Sequence, residues 1–225
     1  MRAQASFDTH TPTDRNITTD FDERKIDAIF AALDRGSLPG AAVGIAIGGR
    51  PVYRKGFGLA GLDQPMVLTP NTRMRIASTT KHFAAPAYIL LCEDAKADPD
   101  DPVSLHLPEL HPVTHGVTMR QLMGNTGGLR DVHDLAWVFS GAASCASSEE
   151  LLARYVGMED ANAAPGTTWI YNNGGWLMLS VAIERISNQS LEVFLRTRIF
   201  EPIGMYDSLL RRFETGFLSN SASSH

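Results

Sequence analysis

Residues 74–83 read MRIASTTKHF and hold the only Ser-x-x-Lys of the chain, Ser78 followed three residues later by Lys81. If a helix opens at Ser78, positions i and i+3 share one face, so the hydroxyl and the amine can meet. A basic group beside a serine is what turns a weak alcohol into a nucleophile. The pair alone is a weak signal, since about one chance match is expected in a chain of this length. Its weight depends on the sequence around it.

Upstream, Ile26, Ile29, Phe30 and Leu33 recur at i, i+3, i+4 and i+7, which predicts a helix from Asp20 to Arg35 stopped at Gly36. Asp20 and Glu23 form the expected capping pair. AAVGIAIG (41–48) and PVYRKGFG (51–58) read as two strands joined at Gly48-Gly49, a β-hairpin. Downstream, Phe83 to Cys92 is the longest apolar run; it is half a membrane span and contains Pro86, so a buried helix with a kink is expected rather than a transmembrane segment. The acidic stretch 94–102 reads as a solvated connection. Thr118 should cap a short helix that leads into NTGGLRD (125–131), followed by a loop through Ser148 and a helix over Glu149 to Val156. Two amphipathic helices close the pattern, one striped by Trp176, Leu179, Ile183 and Ile186, the other by Leu191, Phe194, Leu195 and Ile199, ending before Pro202.

Composition narrows the function classes. The chain has 225 residues, 44% of them apolar and 20% charged, and a net charge of −5. Its four lysines and sixteen arginines are scattered, so no basic stripe offers a nucleic-acid surface. The N-terminal MRAQASFDTHTPTDRN lacks the apolar core of a secretory signal, which points to cytoplasmic residence, or to a periplasmic one if a leader has been removed. Cys92 and Cys145 stand far apart in unrelated contexts and are expected to be free thiols.

Two other motifs carry less than they suggest. Gly56, Gly58 and Gly61 spell G-x-G-x-x-G, but a dinucleotide site needs a helix to open there, and LDQPMVLTP cannot be that helix. His106, His111 and His115 are separated by Pro108 and Pro112, which prevents them from sharing a helix face. Neither a cofactor nor a metal is therefore expected. Tyr171-Asn172-Asn173 is different: it is the only Tyr-x-Asn, it follows the Pro165-Gly166 turn and it precedes a helix. A tyrosine so placed can aim its phenol into a cleft while Asn173 offers a donor and an acceptor.

From about Leu38 to Met205 the chain resembles the serine β-lactamase and penicillin-binding protein superfamily, in particular its class C and D-aminopeptidase-like branch. The resemblance rests on six blocks in family order: the hairpin with GFGLAGLD, TRMRIASTTKHF, DPVSLHLPEL, TMRQLMGNTGGLRD, PGTTWIYNNGGWLML and RIFEPIGMYDS. It implies an α+β, β-lactamase-like fold, a mostly helical domain beside an antiparallel sheet domain of which the hairpin alone is recognised. The expected division is a flexible segment 1–19, helix and hairpin over 20–65, the helical domain over 66–205, and a shortened C-terminal segment 206–225. The resemblance also implies that Ser78 is the acylated nucleophile, Lys81 its partner, Tyr171 a proton-transfer group and Asn173 a substrate-orienting amide. Implied substrates are small amides, peptides with D-residues, β-lactams or short acyl esters.

The chain departs from the family pattern in two places. Many relatives have His-Thr-Ser-Gly where this chain has Asn125-Thr126-Gly127-Gly128. No Lys-Thr-Gly or His-x-Gly appears, the third motif that the family places on a late strand lining the cleft. The chain is thus expected to stop before the family's remaining strands, leaving an under-packed hairpin and an exposed sheet edge through which copies could associate. A non-catalytic fragment or relative that binds ligands or partners is the alternative reading.

Holding a tyrosine as phenolate at neutral pH requires about three pKa units, or about 4 kcal/mol. One ammonium within ~4 Å at an effective dielectric of ~20 supplies about that much. Lys81 could hold Tyr171 as phenolate if it stays charged, or act as base itself if neutral; the two titrate as a coupled pair. The Ser78 N–H can supply one oxyanion donor, whereas the family's second comes from the late strand. Loss of one such donor typically costs ~10²–10³ in rate.

Overall fold

The computed structural model describes residues 22–34, 36–63, 65–140, 147–211 and 218–223. Asp20 and Cys145, for which the sequence made expectations, lie outside them. The chain divides into two compact units, Met1–Met74 with Ser219–His225, and Arg75–Leu218.

The first unit begins with α1 (Glu23–Phe30), whose N-terminus is capped by Asp22, in extended conformation, accepting from Arg24 N at 3.1 Å. The described helix is shorter than the periodicity predicts: it tightens into a 3₁₀ turn at Ala31–Leu33. No side chain of α1 is fully buried, so little tertiary packing supports further turns. Strands β1 (Ala41–Ile47) and β2 (Arg50–Phe57) pair antiparallel with a bulge at Ile45/Ala46. The turn between them needs positive φ at both residues, and Gly48 (57°) and Gly49 (77°) supply it. A second ladder joins β3 (Leu59–Gly61) to β4 (Met66–Val67). The glycine-rich stretch therefore continues from one strand into another, with no helix at its glycines. Asp27 ties α1 to the hairpin, accepting from the Tyr53 hydroxyl at 2.6 Å and pairing with Lys55 Nζ at 2.9 Å. Residues near the C-terminus are stitched into the same unit: Arg73 N donates to Asn220 O at 2.7 Å, and Ser223 N to Ala60 O at 2.9 Å.

Among the described residues each sheet has two strands, and no side chain of β1 is fully buried. Tyr53 and Phe57 of β2 are the hairpin's buried residues. Among the described residues the inward face of β1 is thus only half-buried.

The second unit is helical and holds the larger core. In chain order its helices are α2 (Lys81–Glu93), α3 (Val103–His106), α4 (Met119–Met123), α5 (Val132–Ser140), α6 (Ser148–Arg154), α7 (Asn173–Ser187) and α8 (Leu191–Leu195). α2 packs chiefly against α7, with Tyr88 and Leu91 facing the same core as Met178, Leu179 and Ile183, all inaccessible to solvent. α2 runs continuously through Pro86, which removes one N–H from the helix ladder without ending it. Thr118 caps α4 in a reciprocal box with Gln121, and Ser147 caps α6 in the same way with Glu150. The stretch read as a loop before Ser148 contains α5, whose N–H at His133 is accepted by Asp131 at 2.8 Å. Beyond α8 the chain makes one wider turn at Arg196–Phe200, so the last stripe is helical but not a single regular helix. The acidic connection is fastened rather than simply solvated: Asp94 pairs with Arg198 and Asp100 with Arg120, each through two hydrogen bonds. No helix among the described residues is long and apolar enough to cross a membrane.

Candidate active site

Ser78 lies in a 3₁₀ turn, Ala77–Thr80, that runs directly into α2 at Lys81. The expected helix thus opens one turn later than Ser78, yet the i, i+3 relation survives: Lys81 Nζ donates to Ser78 Oγ at 3.2 Å. The turn is entered through Ala77 at φ 45°, a left-handed conformation that costs an L-alanine energy and sharply turns the chain before the nucleophile.

The other half of the site comes from the start of α7. Residues 125–128 run beside 162–170, with Ile170 N donating to Asn125 O at 2.8 Å, Gly166 N to Thr126 O at 2.8 Å and Asn162 N to Gly128 O at 2.8 Å. This pairing delivers Tyr171 to the nucleophile: its hydroxyl donates to Ser78 Oγ at 2.7 Å. Two residues on, Asn173 Oδ1 accepts from Lys81 Nζ at 2.8 Å. Ser78, Lys81, Tyr171 and Asn173 form one hydrogen-bonded cluster whose cross-links span 93 and 92 residues of sequence.

The Lys81 ammonium also lies over two aromatic rings, 4.8 Å from the Tyr171 centroid and 5.8 Å from that of Trp176, an arrangement that attracts a cation. Partial burial pushes the Tyr171 phenol up, but its interactions with Lys81 and Ser78 outweigh this and leave its pKa below the ordinary tyrosine value. The site is open: Ser78 is exposed, and Tyr171 retains 40% exposure.

Three supporting residues escape the motif reading or are only partly visible to it. Asn125, at φ 55°, uses its side-chain carbonyl to accept from Trp176 Nε1 at 3.0 Å and from Asn172 N at 3.3 Å. It stands where the resemblance leads one to expect histidine, and its position inside NTGGLRD is the signal that could have found it. Asn172 caps α7, accepting from Gly175 N at 2.8 Å while donating to Leu129 O at 2.7 Å. Asp131, 8% exposed, accepts from Asn173 N at 2.6 Å and Gly174 N at 3.1 Å. Burial raises its carboxyl pKa, but the His133 side chain and the backbone donors prevail and hold it below the usual range.

The three histidines considered as ligands serve other partners. His106 Nε2 lies 3.1 Å from Asp101 Oδ2, His111 Nδ1 accepts from Val113 N, and His115 Nε2 lies 2.8 Å from the carbonyl of Leu110. Among the described residues no group of His, Cys, Asp and Glu is arranged to hold a metal. Cys92 is a free thiol at the edge of the helical core.

A helical unit presenting Ser-x-x-Lys at the start of one helix and Tyr-x-Asn at the start of its packing partner, in a chain that also holds small antiparallel sheets, defines a β-lactamase and penicillin-binding-protein-like α+β fold. The chain belongs to the Beta-lactamase family, whose pattern it matches over residues 26–224, and that family consists of serine hydrolases. It is 30% identical over 188 residues to penicillin-binding protein 4* of Bacillus subtilis (strain 168), covering 82% of this chain and 41% of that protein. Among solved structures it is similar to an octameric penicillin-binding protein homologue from Pyrococcus abyssi, with TM-score 0.72, 30% identity, and coverage of 82% of this chain and 44% of the other. The D-amino acid amidase of Ochrobactrum anthropi SV3, in complex with L-phenylalanine, superposes with TM-score 0.73 at 26% identity, covering 88% of this chain and 55% of the amidase. The chain thus spans less than half the length of its curated relative.

Proposed function

We propose that Ser78 is the nucleophile of an acyl-transfer site that hydrolyses small amides or peptides, in the manner of a D-amino acid amidase or D-aminopeptidase, with β-lactams and short acyl esters as further substrate classes. The observation that carries the reading is the convergence of the Tyr171 hydroxyl and Lys81 Nζ on Ser78 Oγ, at 2.7 and 3.2 Å. In this scheme Tyr171, held as phenolate beside the Lys81 ammonium, takes the Ser78 proton as Oγ bonds to the substrate carbonyl carbon. The tetrahedral intermediate expels its amine or alcohol, which receives that proton from Tyr171, leaving an acyl ester on Ser78. Water then attacks the acyl carbon as Tyr171 takes its proton, and Tyr171 returns that proton to Ser78 Oγ as the Oγ–acyl bond breaks and the carboxylic acid leaves. Asn173 keeps Lys81 in place and offers its amide N–H to the substrate. Lys81 acting in neutral form as the base is the alternative assignment within the same coupled pair.

The lowered Tyr171 pKa supports the phenolate assignment, and the amidase likeness supports the substrate class. A second reading is favoured by the absence of Lys-Thr-Gly and His-x-Gly from the sequence: this chain by itself holds ligands at Ser78 without turning them over. Self-association through the edge of β1, unpaired among the described residues, belongs to the same reading, and light scattering checks it.

The test is labelling with a fluorescent penicillin and a fluorophosphonate, in wild type and Ser78→Ala. Labelling that vanishes in Ser78→Ala supports the nucleophile assignment and removes the non-catalytic reading. No labelling of a folded sample removes catalysis by this chain. Hydrolysis of D- and L-amino-acid amides, a β-lactam and short acyl esters then ranks the substrates.

A further inference from the structure

Asp131 is a carboxylate that serves two helix starts. Its Oδ1 accepts from His133 N, in the first turn of α5, at 2.8 Å, and from Gly174 N, in the first turn of α7, at 3.1 Å. Its Oδ2 accepts from Asn173 N at 2.6 Å. Both helices point their N-terminal, partially positive ends at the same buried anion, which accounts for a carboxylate being retained at 8% exposure. The division between the two oxygens matters: Oδ2 has Asn173 as its partner, and Asn173 is the residue whose side chain takes Lys81 Nζ at 2.8 Å. The first turn of α7 is seated from outside the helix at Asn173 and Gly174 by Asp131, and from its own N-cap at Gly175 by Asn172.

We propose that Asp131 is a positioning residue of the Ser78 site, fixing the backbone of Asn173 so that its side chain holds Lys81 between Ser78 and Tyr171. This rests on the acyl-transfer reading of Ser78, but the geometry it requires is readable without turnover. A simple helix cap would contribute stability alone. A positioning residue also sets the registry of reacting groups, where displacement by about 1 Å can cost ~10²-fold in rate. The titratable groups facing Asp131 are His133, whose Nδ1 lies 3.5 Å from Oδ1; Tyr155, whose phenol is pushed up by burial and by the Asp131 charge; and Tyr171, which that charge opposes as phenolate.

Asp131→Asn separates the roles. The amide oxygen can retain the α5 contact while the amide nitrogen confronts the Asn173 N–H, donor against donor. Asp131→Ser, with a single acceptor, is the second variant should the first fail to fold. Ser147→Ala, which removes the α6 cap, controls for stability loss of comparable size.

The first measurement is the rate of Ser78 labelling by fluorophosphonate at neutral pH. The expected result is a loss of about tenfold or more in Asp131→Asn, well beyond that in Ser147→Ala. Equal rates in the two variants overturn the proposal. The second is the ultraviolet titration of Tyr171, taken as the difference from Tyr171→Phe in both the wild-type and Asp131→Asn backgrounds. Release of Lys81 moves the phenol midpoint upward, toward the ordinary tyrosine value. A midpoint that stays or falls, as loss of the Asp131 charge without repositioning would produce, overturns the proposal. Wild-type protein that is not labelled at all counts against the hydrolase reading, and the titration still decides the role of Asp131.

Discussion

The Tyr171 hydroxyl and Ser78 Oγ stand 2.7 Å apart across 93 residues of sequence, and Lys81 Nζ reaches the same oxygen from one turn further along. Ser78 thus sits between a phenol and an amine whose protonation states are linked, with the amine placed by Asn173 and by two aromatic rings. The arrangement depends on two helix starts meeting, that of α2 and that of α7. One is entered through a left-handed alanine, the other is capped both by its own Asn172 and by Asp131 from the 125–131 segment.

The first consequence is a pH profile. The phenolate is the active form in the proposed scheme, so the labelling rate should rise with pH and level off above the Tyr171 pKa. That pKa lies below the ordinary value of about 10 because Lys81 and Ser78 outweigh the effect of burial. Rates of fluorophosphonate labelling across pH 5–10 are expected to show this rising limb, and Tyr171→Phe to remove it while lowering the plateau by about 10²-fold or more. A limb that persists unchanged in Tyr171→Phe assigns the base to another group.

Lys81→Met tests the coupling from the other side. It removes the ammonium that favours the phenolate while keeping much of the side chain's length and packing. The Tyr171 limb should move to higher pH, and labelling at neutral pH should fall by about 10²-fold or more. Lys81→Arg keeps the charge but changes its shape, so it should preserve the position of the limb better than it preserves the rate. The same ultraviolet difference titration reports the phenol directly.

The local parts of this site were legible in sequence, and its long-range parts were not. Ser78 and Lys81 stand at helical spacing, a weak signal by itself, Tyr171 and Asn173 follow a Pro-Gly turn and precede an amphipathic stripe, and it was the resemblance in six family blocks that linked the four as candidates. The positive φ of Ala77 could not be read, because alanine carries no mark of left-handed backbone. Helix α5 was missed because VHDLAWVFS is apolar on several sides and follows a glycine-rich loop, so no clean 3.6-residue period stands out. The role of Asp131 toward α7 spans 42 residues and exists only once α5 and α7 are packed. At the N-terminus the periodicity promised more helix than is described over Glu23–Phe30, since stripe residues support a helix only where something covers them.

The Gly174 position links the fold to the site. A Cβ there would lie 1.9 Å from the Tyr155 hydroxyl, which is itself inaccessible and donates to Arg130 O at 2.8 Å. Gly174→Ala should therefore destabilise the chain by about 1–3 kcal/mol, as overpacking in a filled core does, and should displace Asn173 next to it. Tyr155→Phe removes the oxygen that the added methyl would strike, at the cost of leaving Arg130 O without that donor. The double variant is expected to be more stable than the sum of the two single losses, a coupling that a double-mutant cycle in urea measures. Simple additivity would mean that the α7 start shifts away from Tyr155 and that contact between the two does not control its placement.

Ala77 supplies the last prediction. Its φ of 45° is accessible to glycine at little cost, whereas a non-glycine residue held there stores roughly 1–3 kcal/mol. Ala77→Gly should recover part of that strain, offset by the extra freedom glycine gives the unfolded chain, so the net change in thermal stability should be small. The effect on Ser78 should be larger than the effect on stability. The left-handed alanine restricts the entry to the 3₁₀ turn and so fixes where Ser78 Oγ lies relative to Tyr171 and Lys81. With glycine the turn can sample other entries, and labelling of Ser78 is expected to slow by about tenfold while the pH limb of Tyr171 stays in place. A slower rate with an unchanged limb identifies lost orientation. A displaced limb would show instead that Ala77 acts through the Lys81–Tyr171 pair.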